Sequence, residues 1–176
     1  MPVIPARYGA GVANPSPRQH AGSQNSRLDI PSYVSGYFDG EGCFSVSISP
    51  RPRLKVGWEV RPSVSISQNE DRRQVVDLIH SYFACGSVRR DLSDRTIKWE
   101  CRSVPQIVDL ILPHFERWPL ISAKRADVEL LQRICLLMVE GAHLEPEGLQ
   151  VIARLAEAMN PSGIRRYSVR DIERTF

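Results

Sequence analysis

A carboxylate, Glu41, stands between Gly40 and Gly42 at the end of the run Tyr33-Val34-Ser35-Gly36-Tyr37-Phe38-Asp39, and this spacing could do hydrolytic chemistry. Pro31 and Ser32 mark a helix start, with the Ser32 hydroxyl placed to accept from a first-turn amide. Gly42 suits the positive φ that ends a helix, so Glu41 is expected at the helix exit. Gly36 and Gly40 are four residues apart on one face, which lets a partner helix approach until the backbones nearly touch. The natural partner is a second copy, with Val34, Gly36, Tyr37 and Gly40 at the contact. Two such exits side by side bring two carboxylates together at the negative ends of two helix dipoles, an arrangement that makes sense only with cations present. Hard oxygen ligands suit Mg²⁺, which takes few protein carboxylates and completes its shell with water and phosphate oxygens, the composition of a phosphodiester-hydrolysing site.

The elements that must position this carboxylate can be read from the periodicity. From Cys43 the period becomes two, with Phe44, Val46 and Ile48 facing one way and Ser45, Ser47 and Ser49 the other. After a turn rich in Pro and Arg, Val56, Trp58, Val60, Val64 and Ile66 alternate with Lys55, Glu59, Arg61, Ser63, Ser65 and Ser67, completing a hairpin. Asn69 with Glu70 and Asp71 opens a helix whose apolar face is Val75, Val76, Ile79 and Phe83. The unit then recurs. Gly86 begins a hairpin from Val88 to Leu92 and Thr96 to Arg102 with Ser93 and Asp94 near its turn, and Ser103-Val104-Pro105-Gln106 is a capping box for a helix that covers the sheet with Ile107, Leu110, Ile111 and Phe115. A long helix from about Ser122 to Met138 carries Val128, Leu131, Ile134 and Met138 at helical spacing. Two more, about Pro146 to Met159 and Ser168 to Thr175, are joined by Asn160-Pro161-Ser162-Gly163. The chain reads as an α+β fold, αββαββα over an antiparallel sheet, with extra C-terminal helices. Residues 1–27 read as a flexible arm, 28–140 as the core and 141–176 as a helical extension of the same domain.

With 176 residues and 42% hydrophobic content the chain can bury one sizeable core. No apolar run reaches transmembrane length, and the N-terminal stretch lacks the apolar centre of a signal peptide, so an intracellular, non-secreted protein is expected. Cys43, Cys85, Cys101 and Cys135 form no CxxC pair and the four histidines are scattered, which argues against a zinc finger or a His-metal nuclease. The net charge of +3 hides a polarity along the chain. Segments 43–69 and 86–102 carry nine basic side chains against four acidic ones, whereas 104–160 carries five against eight. A basic sheet on an acidic helical back is a footprint for phosphate. The polar residues Ser45, Ser47, Ser49, Arg51, Arg53, Lys55, Glu59, Arg61, Ser63 and Ser65, with Arg89, Asp91 and Lys98, are spaced to meet successive base edges and phosphates of a nucleic acid. Arg51, Arg53, Arg61, Arg89 and Lys98 are the best placed by charge, since Arg engages guanine in bidentate fashion while Ser acts through water.

The run Tyr33 to Gly42 resembles the signature of the LAGLIDADG homing endonucleases: Gly36, Asp39, Glu41 and Gly42 match by position and chemistry, and Val34, Tyr37 and Phe38 are apolar stand-ins. The resemblance implies a saddle-shaped antiparallel sheet lying in the DNA major groove and site-specific cleavage of both strands. One signature per chain implies a homodimer on a near-palindromic site of about 20 base pairs. It further implies that Glu41 and the Gly40 carbonyl hold a divalent cation, Mg²⁺ or another such as Mn²⁺. Gln68 matches the position that orients the attacking water, and Arg72 and Lys124 match positions that line the solvent pocket and offset phosphate charge, with Arg125 a rival to Lys124. Asp39 reads as structural. Glu replaces the more frequent Asp of the signature, which adds a methylene to the ligand. A group I intron RNA maturase and a non-cleaving DNA-binding regulator share the fold; the intact Glu41 and Gln68 favour the nuclease over both.

Overall fold

The computed structural model describes residues 28–91, 95–160, 163 and 165–176. The expected arm 1–27, the turn residues Ser93 and Asp94 and the link residues Pro161 and Ser162 lie outside the described residues. Helix α1 (Ile30–Glu41) runs directly into strand β1 (Gly42–Pro50), which turns back as β2 (Trp58–Asn69). A 3-10 turn (Glu70–Arg72) leads into α2 (Arg73–Phe83), followed by the hairpin β3 (Ser87–Asp91) and β4 (Thr96–Cys101). The helical run α3 (Val104–Gln106), a π-helical turn (Ile107–Ile111) and α4 (Leu112–Arg117) then crosses the sheet, before α5 (Lys124–Val139), α6 (Pro146–Glu157) and α7 (Val169–Glu173). The four strands form one antiparallel sheet in the order β1-β2-β4-β3. Strand and helix order thus follow the αββαββα pattern with C-terminal helices added.

The period-two alternation sets which face of the sheet is buried. Phe44, Val46, Trp58, Val60, Val64, Ile66, Ile97, Trp99 and Cys101 are buried together with Val34 and Phe38 of α1, Val76, Ile79 and Phe83 of α2, and Leu131 and Ile134 of α5. Leu149, Ile152 and Met159 from α6 and its end, and Ile172 of α7, belong to the same core. Phe38 sits at its centre, its ring meeting those of Phe44, Phe83, Trp99 and Phe115 at centroid distances of 5.2 to 6.1 Å. No helix among the described residues is long and apolar enough to cross a membrane.

Four local expectations are corrected. The N-cap of α1 is Asp29, whose carboxylate accepts from the Ser32 amide and, at 2.5 Å, from the Ser32 hydroxyl, so Ser32 donates to the cap rather than serving as it. Gly42 has φ −71° and ψ 146°, extended rather than left-handed. Glycine is needed there for space, since a Cβ would lie 2.5 Å from the Phe38 ring and 2.6 Å from its carbonyl oxygen. In the helix after β4, Leu110 is exposed and Leu112 is buried. The π turn widens the helix by one residue per hydrogen-bonded ring and shifts its phase, and Pro113, which has no amide to give the Asp109 carbonyl, follows directly. Finally, Ser103 accepts from the Gln106 amide, but the Gln106 side chain does not return the bond: its Oε1 accepts from the Cys101 thiol.

Candidate catalytic site and nucleic-acid face

Helix α1 buries Val34, Ser35 and Phe38 and leaves Ser32, Gly36 and Gly40 exposed along the opposite stripe. Among the described residues, no heavy atom outside the local helix backbone lies within 4 Å of a Cβ built on Gly36 or Gly40. Val34 is 0% exposed, which removes it from the expected contact with a second copy: lying half a turn from Gly36, its side chain is spent in the chain's own core. The buried stripe is pinned by a polar network. The Ser35 hydroxyl donates to the Trp118 carbonyl at 2.6 Å, so His114 Nε2–H donates to Ser35 Oγ at 3.1 Å, and Nδ1 is left to accept from the Tyr82 hydroxyl at 3.0 Å. Burial drives the His114 pKa down to about 4, so the ring is neutral.

At the far end of α1 the structure gathers the residues expected to act. Glu41 is exposed, the last residue of the helix, and makes no ion pair or side-chain hydrogen bond among the described residues. Lys124, the first residue of α5, donates its ammonium to the Gly40 carbonyl at 2.8 Å and the Phe38 carbonyl at 3.4 Å, setting a positive charge on the negative end of the helix dipole. Its rival Arg125 is turned away onto Glu129 at 3.1 Å. Asp39 accepts from the Ile121 amide at 2.8 Å and the Ser122 amide at 3.0 Å, which ties the loop before Lys124 to α1 and makes Asp39 structural. Burial works against the Asp39 charge, but those amides and the Lys124 charge outweigh it and hold the carboxyl below its usual value. From the sheet, the Gln68 amide nitrogen donates to the Tyr37 hydroxyl at 2.9 Å, and the Gln68 Oε1 accepts from the Asn69 amide at 2.8 Å. Burial raises the Tyr37 phenol above its usual value; the Gln68 bond and Arg72 act against this, and Glu41 adds to it. Tyr37 and Gln68 are thus in direct contact, Glu41 lies one turn further along the same helix, Lys124 sits on the carbonyl of its neighbour Gly40, and the Arg72 charge acts on Tyr37.

Among the described residues no three His, Cys, Asp or Glu side chains converge on a metal position. The donor set of one chain is a single carboxylate, Glu41, and one carbonyl, Gly40. Both are hard oxygens, so the set fits a cation that keeps waters and takes its remaining ligands from a phosphate or from a second copy of the helix.

The outer face of the sheet is polar across all four strands. The register pairs Ser45 with Ser63, Ser47 with Arg61 and Ser49 with Glu59, and continues from Ser65 to Glu100 and from Lys98 to Arg89, with Asp91 opposite Thr96. Arg51 extends this face toward Glu59 at 3.9 Å, and with Arg53 and Lys55 it lies in the β1–β2 turn, which is closed by Arg51 N–H donating to the Gly57 carbonyl at 2.6 Å, with Gly57 at φ +71°. The strand residues among those expected to face nucleic acid thus share one surface of the sheet, whereas Arg51, Arg53 and Lys55 lie in the turn. They are not equally available. Ser63 and Ser65 are recessed at 8% and 4% exposure, and the Ser63 hydroxyl is used on Glu100 at 2.9 Å. Lys55 is paired with Glu145 at 2.9 Å, and Arg61 with Glu59 at 2.8 Å.

Glu100 is not among the residues expected on this face from the sequence. It lies in the middle of the polar face and accepts from Lys98 at 3.0 Å, with Arg102 at 3.0 Å and Arg89 at 3.5 Å. Burial would raise its pKa, yet the bonds from Lys98 and Ser63 and the surrounding positive charge lower it. The signal was present, since Thr96, Lys98, Glu100 and Arg102 alternate with Ile97, Trp99 and Cys101. The Tyr37–Gln68 bond was also missed, and no spacing in one sequence could have shown it.

Residues 34–135 match a family model described as LAGLIDADG endonuclease. Among curated relatives, the chain is 34% identical over 131 residues to probable intron-encoded endonuclease 2 of Neurospora crassa, an alignment covering 74% of this chain and 29% of that protein. The chain spans under a third of the length of the first curated relatives it matches, between 26% and 29%. Among solved structures it superposes on the homing endonuclease I-TnaI with a TM-score of 0.71 and 32% identity, covering 82% of this chain and 94% of that one. It also superposes on I-SmaMI bound to an uncleaved DNA target in the presence of calcium ions, with a TM-score of 0.73 and 28% identity, covering 77% of this chain and 46% of that one.

Proposed function

The chain belongs to the LAGLIDADG endonuclease family, and on that premise we propose that it is a site-specific endonuclease that cuts double-stranded DNA by divalent-metal-dependent phosphodiester hydrolysis. The observation that carries this reading is the exposed Glu41 carboxylate at the end of α1, without an ion pair among the described residues, beside the Gly40 carbonyl that meets Lys124 and one turn from Tyr37 and its partner Gln68. Glu41 and the Gly40 carbonyl, once the Lys124 ammonium leaves that oxygen for the phosphate, would hold the cation, Mg²⁺ or a similar ion such as Mn²⁺. When bound, that ion lowers the pKa of its water and neutralises charge on the phosphate. Lys124 and Arg72 place positive charge beside the phosphate, and the Gln68 amide orients the attacking water. The presence of calcium with I-SmaMI supports a divalent ion.

The polar sheet face meets the DNA, with Arg51, Arg53, Arg61, Arg89 and Lys98 supplying phosphate and guanine contacts and the serines Ser45, Ser47 and Ser49 water-mediated ones. The catalytic unit is two copies packed along the exposed Gly36 and Gly40 stripe, which brings the two Glu41 carboxylates together. The coverage of only 46% of the I-SmaMI chain supports a doubled unit. The enzyme acts inside the cell, in keeping with a relative described as intron-encoded. The intact Glu41 favours cleavage over the maturase and silent-regulator readings.

The test is digestion of a plasmid library with Mg²⁺ or with EDTA, sequencing the ends of any linear product. Mg²⁺-dependent breaks at one long near-palindromic site are expected from the wild type, and none from Glu41→Gln, which keeps the shape and DNA affinity but removes the ligand charge. Equal cleavage by Glu41→Gln sinks the assignment.

A further inference from the structure

Both ends of the Gln68 amide are committed, and this fixes a hydrogen-bond direction that bears on Tyr37. The backbone amide of Asn69 can only donate, so the Gln68 atom it meets at 2.8 Å must be the oxygen. The other end is then NH₂ and donates to the Tyr37 phenol oxygen at 2.9 Å. The phenol is an acceptor in this bond, which leaves its own O–H to donate away from Gln68. Tyr37 lies one turn before Glu41 on α1, half-buried, with its ring 6.3 Å from that of Tyr33. The charged groups that act on its hydroxyl are Glu41 and Arg72. A side chain first read as part of the contact between two copies is thus turned onto its own sheet.

We infer that Tyr37 is a positioning residue of the cleavage site, its phenol oxygen holding the Gln68 side-chain amide in one orientation. This rests on the nuclease reading for its consequence, though not for the contact itself. A free glutamine has three rotatable side-chain bonds and an amide that can flip, so an amide meant to orient a water needs a fixed partner on each end. Asn69 fixes the oxygen and Tyr37 fixes the nitrogen. Because Tyr37 and Glu41 share one helix, the water-orienting group and the cation ligand are held on a common rigid element.

The experiment uses the full chain and Tyr37→Phe, which removes one oxygen and keeps the ring. With target DNA, the cleavage rate at saturating DNA is expected to fall about tenfold or more while Kd for the DNA is unchanged, since misplacement of a positioned group acts on the chemical step. Combining Tyr37→Phe with Gln68→Ala is expected to cut no more slowly than Gln68→Ala alone, because both remove the same arrangement. Independently of activity, the Gln68 side-chain amide protons in ¹⁵N NMR spectra are expected to be dispersed in the wild type and to collapse toward solvent-exposed glutamine values in Tyr37→Phe. Wild-type cleavage by Tyr37→Phe, multiplicative losses in the double variant, or unchanged Gln68 amide signals would each overturn the inference. Absence of cleavage by the wild type would instead overturn the nuclease reading, and the amide signals would still decide whether Tyr37 holds Gln68.

Discussion

Acidification from pH 7 to pH 5 is expected to destabilise the protein through His114. The ring is 5% exposed, surrounded by Phe83, Phe115 and Trp118, and its nitrogens are taken by Ser35 and Tyr82. Burial lowers its pKa from 6.5 to about 4. Between these values the unfolded chain binds a proton that the folded chain refuses, so the stability associated with the neutral ring is complete above pH 6.5, declines as pH falls, and is gone below pH 4. Linkage over the full interval gives about 3 kcal/mol, and the portion lost between pH 7 and pH 5 is about 2 kcal/mol. The assay is urea unfolding at pH 7, 6 and 5 for the wild type and for His114→Gln, which keeps a hydrogen-bonding side chain but does not titrate. His143, whose pKa burial also lowers, contributes equally to both proteins and cancels in the comparison. The wild type is expected to lose about 2 kcal/mol more than the variant over this range. Parallel pH slopes for the two proteins would refute the reasoning, because they would mean that His114 accepts its proton in the folded state as readily as in the unfolded one.

Gly36→Leu is expected to leave monomer unfolding within about 1 kcal/mol of wild type, since space is open above that position, while sedimentation shows loss of the proposed dimer; a dimer of unchanged affinity would place the contact between copies elsewhere. Phe38→Ala, at the hub of four other aromatic rings, is expected to cost about 3–5 kcal/mol in chemical denaturation, and a loss under 1 kcal/mol would contradict the packing. Glu100→Gln releases Lys98, Arg89 and Arg102 from their shared carboxylate and is expected to tighten binding to arbitrary DNA and steepen its salt dependence, as read by fluorescence anisotropy across a salt series. An unchanged salt slope would show that these cations do not face the DNA phosphates.

Element order and the buried faces of β1 and β2 were legible in the sequence because both depend on local chemistry. Alternation at Phe44, Val46 and Ile48 can be satisfied only by a strand with one wet face, and a carboxylate followed by Gly42 could be placed at the end of a helix without knowledge of any contact. The same logic picked out the polar surface that carries Ser45 to Arg61, Arg89 and Lys98. It failed where a residue's role depends on something distant in the chain. Leu110 and Leu112 exchanged faces because a π turn ahead of Pro113 changed the helical phase, which composition does not encode.

Tertiary structure alone decided which of several chemically equivalent residues come together at the end of α1. Lys124 and Arg125 are indistinguishable as neighbours in sequence, yet the tether between Asp39 and the Ile121 and Ser122 amides aims the first at the Gly40 carbonyl and leaves the second to Glu129. Val34 and Tyr37 were both apolar positions of one motif; burial took the first into the core, and a bond from Gln68, 31 residues away, turned the second toward the site. A sequence specifies by itself what each stretch prefers over a few residues, since backbone periodicity and capping act at that range. The partners of a side chain are set only when the chain closes on itself, because hydrogen bonds and close contacts are made across distances in sequence that no local pattern records.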